Sequence, residues 1–151
     1  MESNLIIENY KEFIEKVEHR VTDNIKGSDI KMFNPALLAY IGDSVYELFV
    51  RTFLVSQGTC QAGKLHKKAV LFVQAKAQAE IIDKISEYLT EEEMDIVKRG
   101  RNAKTTSMPK NAELAEYKQA TGFEALLGYL YLNNRIERLL EILNYIPNIM
   151  E

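Results

Sequence analysis

At 151 residues, with 46% hydrophobic side chains and a formal charge of −3, the chain has the length of one domain and enough apolar residues for a real core. No run approaches the roughly 18 uninterrupted apolar residues of a membrane span, and the opening MESNLIIENYKEF is acidic where a secretory signal is basic and then apolar, so a soluble cytoplasmic protein is expected. The single cysteine, Cys60, excludes an internal disulfide or a thiolate metal cluster within the chain, and with no histidine at a suggestive spacing it reads as structural.

Apolar residues recur at threes and fours throughout, which predicts an all-α fold. A first helix is predicted over residues 7–25, closed by Lys26-Gly27-Ser28-Asp29. Asn34-Pro35 opens the next, with proline at the first helical position, where its missing N–H costs nothing, and the pattern carries it to about residue 57. Residues 62–88 give one or two helices. Thr90-Glu91-Glu92-Glu93 is a capping box, in which the threonine serves the third helical N–H and Glu93 reaches back, so a short helix follows to about residue 99. Residues 101–110 read as a loop. Residues 112–132 read as a helix with a break near Thr121-Gly122, and residues 135–146 as the last helix, ended at Pro147.

The stretch LLAYIGDSVYELFVR, residues 37–51, carries two acids in what otherwise reads as a core helix. Leu37, Leu38, Ile41, Val45, Leu48, Phe49 and Thr52 mark a wide apolar band, which places Asp43 and Glu47 one turn apart at its edge. An isolated pair of this kind more often points to water or pairs with Lys or Arg. A second stretch, TGFEALLGYLYL, residues 121–132, also holds one acid, Glu124, in an apolar helix. Gly42 and Gly128 each cost about 1 kcal/mol relative to Ala inside a helix, and their positions suggest two helices in close approach. If the helices cross there, Asp43 and Glu124 converge, and a hard divalent cation such as Mg²⁺ would hold two mutually repelling carboxylates ionised.

The remaining charge is segregated. Residues 48–79 contain Arg51, Lys64, Lys67, Lys68 and Lys76 and no acid; residues 98–110 contain Lys98, Arg99, Arg101, Lys104 and Lys110 and again no acid. Two cationic segments on an acidic body suit phosphate-backbone binding, because each neutralised phosphate releases counterions while the body's charge limits indiscriminate binding. The alternative is a pair of solvated helix faces and a charged loop. His66, inside GKLHKK, reads as a phosphate or surface contact, since the other histidine, His19, lies far off in sequence.

AYIGDSVYELFVR resembles the signature helix of the ribonuclease III catalytic domain, and FEALLGYLYL its second acidic motif. With LHKKAVLFVQAKAQAEI, LTEEE, KRGRNAK and PKN in the same order, residues 34–143 most resemble the Mini-III ribonucleases. The resemblance implies a homodimeric, all-helical, Mg²⁺-dependent endonuclease for double-stranded RNA, made of the catalytic domain alone over residues 1–151. It implies 5′-phosphate and 3′-hydroxyl products, and a role in maturing the ends of bacterial 23S ribosomal RNA precursor, in a pre-ribosomal setting where a ribosomal protein could assist. Asp43 and Glu124 match the family's catalytic, metal-binding acids, and Glu47 is a further candidate ligand. Two other acids of the wider family are replaced here by Ala39 and Thr121, as in Mini-III members, which leaves more of the metal's ligands to water. Contact with RNA falls to Lys64, His66, Lys67, Lys68, Lys76, Arg99, Arg101, Lys104 and Lys110. Tyr46, Phe49, Val50 and Phe53 extend the apolar surface beyond what one core face needs and are read as dimer contacts, the alternative being a helix buried on two sides within the monomer. The rival reading is a catalytically silent RNA-binding or ribosome-assembly module on the same scaffold.

Overall fold

The computed structural model describes residues 8–9, 11–13, 15–16, 29–58, 61–104 and 113–150. Among them the regular elements are all helical, as the periodicity predicts: α1 (Pro35–Ser56), α2 (Ala62–Val73), α3 (Ala75–Ile85), α4 (Glu91–Arg101), α5 (Leu114–Leu132) and α6 (Ile136–Met150), with 3₁₀ turns at Ile30–Met32 and Ser86–Tyr88. The described part of the first predicted helix is helical. The rest of that prediction, with His19, Cys60, Lys110 and most of the predicted loop, lies outside the described residues. No helix among the described residues is long and apolar enough to cross a membrane.

Local chemistry sets most boundaries. Asn34 Oδ1 accepts from the Ala36 N–H at 2.9 Å and Pro35 follows as the first helical residue, so α1 starts where the sequence predicts. The segment 62–88 is two helices, divided at Gln74, whose extended ψ of 146° ends α2 and caps α3. The capping box of α4 is closed on both sides, Thr90 Oγ1 accepting from the Glu93 N–H at 3.1 Å and Glu93 accepting from the Thr90 N–H at 2.9 Å. This helix runs two residues past its predicted end, and its last turn holds Lys98, Arg99 and Arg101, cations that favour a helix's carbonyl end.

Helix α5 is the centre of the molecule, with α1, α3 and α4 packed around it. Its buried residues include Phe123, Leu126, Leu127, Tyr129 and Leu130, and they cover so much of its circumference that one apolar stripe cannot be distinguished. The predicted break near Thr121-Gly122 does not occur. The Thr121 hydroxyl donates to the Tyr117 carbonyl at 3.0 Å within the helix, and Gly122 serves packing, since a Cβ there would come 2.6 Å from the Val97 carbonyl oxygen of α4. Nor does α6 stop before Pro147. Proline removes one N–H from the ladder, but Leu139, Ile142, Leu143 and Ile146 already fix the helix in the core, and it continues to Met150.

The face of α1 is also turned from the predicted band. Leu38, Ala39, Gly42, Val45, Tyr46, Phe49 and Val50 are buried in the monomer, and Phe53 stacks on Phe49 with ring centroids 6.4 Å apart. Tyr46, Phe49 and Val50 are therefore core residues, with Phe53 half-buried against them, and not a surplus apolar surface, because α1 is covered on two sides, by α5 and by α2. The large apolar side chains that α1 does expose are Leu37, Tyr40, Leu48 and Val55.

Candidate functional site

The site is built where α1 crosses α5. A Cβ on Gly42 would fall 1.7 Å from the Glu124 carbonyl oxygen, and one on Gly128 would fall 1.9 Å from that of Leu38. Only glycine lets the two backbones touch in this way, which offsets its poor helix propensity. The crossing brings Asp43 and Glu124 into the wall of one pocket, where each acts on the other's proton affinity. Burial first, and then the charge of Glu47, push the Asp43 carboxyl up from its ordinary value. Burial and then the charge of Asp43 push Glu124 up to about 8, against a hydrogen bond from Gln78 that favours its ionised form. Two acids so placed either hold a proton between them or share a cation.

Both line an open pocket of about 250 Å³, with Ala36, Ala39, Tyr40, Ala103, Lys104, Tyr117 and Thr121 completing the wall. The acidic donors are carboxylate oxygens with no histidine or cysteine among the lining residues, a set that fits a hard cation. Among the described residues no third His, Cys, Asp or Glu joins them in a metal-holding group, so water would have to fill the other positions on an ion.

A Ribonuclease III domain model matches residues 36–135. The Mini-ribonuclease 3 of Clostridium tetani is 51% identical over 125 residues, 82% of each chain. That of a Thermoanaerobacter species is 47% identical over 130 residues, 86% of this chain and 92% of the other. A crystal structure of a Fusobacterium nucleatum protein shares the fold with a TM-score of 0.71 at 35% identity, covering 80% of this chain and 96% of that one. The chain belongs to the ribonuclease III family, in its Mini-ribonuclease 3 branch. The family makes it an endoribonuclease.

For this family member the positions of the two replaced acids matter. Ala39 and Thr121, the positions where the sequence resemblance expects two further acids, both line the pocket beside Asp43 and Glu124. Glu47, the third acid named from the sequence, is not in that wall; its carboxylate accepts from Arg51 at 2.5 Å, one turn further along α1.

The basic residues separate into three groups. Lys104 lines the pocket with the acids. Arg101 is half-buried, while Lys64, His66, Lys67, Lys68 and Lys76 are exposed on α2 and α3. His66 and Arg51 also line a second, largely apolar hollow of about 200 Å³ with Leu54, Val55, Leu65 and Ala69. Arg99 is engaged within the fold, donating to the carbonyls of Lys31 and of Phe33, the latter at 3.0 Å, and so fastening the Ile30–Met32 turn. Sequence reasoning missed Tyr40 and Tyr117 in the pocket wall, and the buried Gln78 of α3. Gln78 carried a readable signal: it falls on the stripe of Ile81, Ile82 and Ile85, a polar residue in an apolar face.

Proposed function

We propose that this endoribonuclease cuts double-stranded RNA in an Mg²⁺-dependent reaction, as a homodimer, leaving 5′-phosphate and 3′-hydroxyl ends. Its substrate is precursor 23S ribosomal RNA in the cytoplasm, within a pre-ribosomal setting, and one catalytic domain both grips and cuts. The observation that carries this reading is the meeting of Asp43 and Glu124 in an open pocket with Lys104 on its rim. Bound between the acids, Mg²⁺ would supply a polarised water for in-line attack on phosphorus and positive charge for the leaving 3′ oxygen.

The chain's own residues do the rest. Asp43 and Glu124 would hold the ion by charge once deprotonated; Lys104 offers a cation to a phosphate at the pocket, and Arg101, Lys64, His66, Lys67, Lys68 and Lys76 supply further phosphate contacts, as a duplex read by A-form shape requires. Leu48 and Val55, exposed on α1, are the surface we assign to the second copy. A two-fold pair of sites suits the two antiparallel strands of a duplex.

The replacement of two family acids by Ala39 and Thr121 favours one second reading, a silent RNA-binding module on the same scaffold. Incubating the purified chain with perfect duplex RNA separates the two. The enzyme reading expects cuts in Mg²⁺, none in EDTA, and products that a 5′-phosphate-dependent exonuclease degrades; bound but intact RNA under both conditions would favour the silent module.

A further inference from the structure

We propose that Tyr117 determines sugar specificity: its hydroxyl bonds the 2′-hydroxyl of a ribose beside the cleaved phosphate, so that the pocket cuts a duplex carrying that group in preference to one lacking it. The inference deepens the reading of the Asp43 and Glu124 pocket as the place where duplex RNA is cut, and rests on it.

Tyr117, Thr121 and Glu124 stand at i, i+4 and i+7 of α5, on one face of the helix, and all three line the pocket that Asp43 joins from α1. Tyr117 is in the first turn of α5, roughly 10 Å along the axis from Glu124 at about 1.5 Å per residue. Its ring can therefore reach a sugar joined to a phosphate held at the acids. Free donors are few along this face. The Thr121 hydroxyl donates to the Tyr117 carbonyl at 3.0 Å, so its proton is committed within the helix. The Tyr117 hydroxyl bonds no described residue. Tyr117 is half-buried, so packing holds its ring while the hydroxyl stays unpaired. Tyr40, the other tyrosine of the wall, is 75% exposed and is not held in that way.

The chemistry of the wall divides its tasks. Carboxylates suit a metal ion, and the ammonium group of Lys104 suits a phosphate oxygen. A neutral phenol hydroxyl can donate and accept at once, as the 2′-hydroxyl can. Against a phosphate it would add one donor and leave its acceptor side unused. The 2′-hydroxyl is also the group by which a protein distinguishes RNA from DNA at a given place on a duplex.

The test uses the full chain in saturating Mg²⁺ and compares kcat/KM for one all-ribose duplex with that for duplexes lacking a single 2′-hydroxyl, at each nucleotide flanking the mapped cut in turn. For the wild type, one of these deletions should lower kcat/KM by about fivefold to tenfold, the effect of one lost hydrogen bond. Tyr117→Phe should lower kcat/KM on the all-ribose duplex by a similar factor and be indifferent to that same deletion, because the two changes remove one bond. Lys104→Ala should also lower kcat/KM, but with the wild-type penalty for the deletion intact. Wild-type kcat/KM in Tyr117→Phe would overturn the proposal. So would a full deletion penalty in that variant, since its hydroxyl would then meet something other than the sugar, or a wild type that tolerates every deletion. Tyr117→Phe should melt like the wild type, and its failure to fold would overturn the proposal by showing that the hydroxyl serves the fold. A wild type that cuts no duplex in Mg²⁺, or an Asp43→Asn variant that cuts as fast as the wild type, would instead overturn the reading of the pocket itself.

Discussion

Glu124 pays for its position in its proton affinity. Its carboxyl, 4.5 when unperturbed, is raised to about 8 by burial and by Asp43, so the metal-free fold binds a proton more tightly than the unfolded chain does. The stability this contributes is fully present below 4.5 and is lost as pH rises through about 8. Melting curves in EDTA should therefore show the wild type losing stability across that window, Glu124→Gln losing much less, and Mg²⁺ restoring the wild type at the alkaline end. A wild-type profile as flat as that of Glu124→Gln would mean that the carboxylate is not strained by its site. Arg99 makes a second contrast at this scale. Its N–H groups meet the carbonyls of Lys31 and Phe33, and Arg99→Ala should cost about 1–2 kcal/mol of stability with little change in RNA affinity. Replacing Arg101 and Lys104 by Ala should do the reverse, raising KM for duplex RNA at an unchanged melting temperature. Asp43 and Glu124 were legible because an acid inside an apolar helix is conspicuous by itself. Arg99 was not, because its partners lie in a distant turn and nothing local distinguishes a bracing arginine from a phosphate-binding one.

Element boundaries were legible where one residue's chemistry decides them. Asn34 with Pro35, and Thr90 with Glu93, form caps by local hydrogen bonds that sequence spacing already specifies. The errors arose where packing overrides local preference. Gly122 looks like a helix breaker, yet it is the residue that lets α5 lie against Val97, and α6 carries Pro147 because its buried face holds it. The same argument makes the crossing of α1 and α5 intolerant of a single methyl. Gly42→Ala would set a Cβ against the backbone of Glu124, which cannot move as a side chain can. The two helices must separate, at a cost of about 3 kcal/mol or more, and the acids separate with them. The expected result is a marked fall in melting temperature, read by circular dichroism, together with loss of cleavage; Gly63→Ala, at a position with open space around it, serves as the neutral comparison.

At the scale of the molecule, the all-helical architecture and the convergence of the two acids followed from periodicity and two glycines, but the dimer surface did not. Tyr46, Phe49 and Val50 look surplus along one helix and prove to be core once α2 and α5 are both in place. Burial on two sides cannot be counted from one strip of sequence. The basic surface is a proposal about the whole particle, and its test is correspondingly general. Neutralising Lys67 and Lys68 together should weaken binding to every duplex about equally and make the dependence of log affinity on log salt shallower by up to about two units; an unchanged slope would make them ordinary surface charges. The central claim, that Asp43 and Glu124 together hold the ion that cuts RNA, is tested most directly by single-turnover cleavage of one duplex by wild type, Asp43→Asn and Glu124→Gln in saturating Mg²⁺, with RNA binding measured on the same samples. Both variants should bind the duplex nearly as well as the wild type and leave it uncut. Cleavage at the wild-type rate by either one would contradict the account.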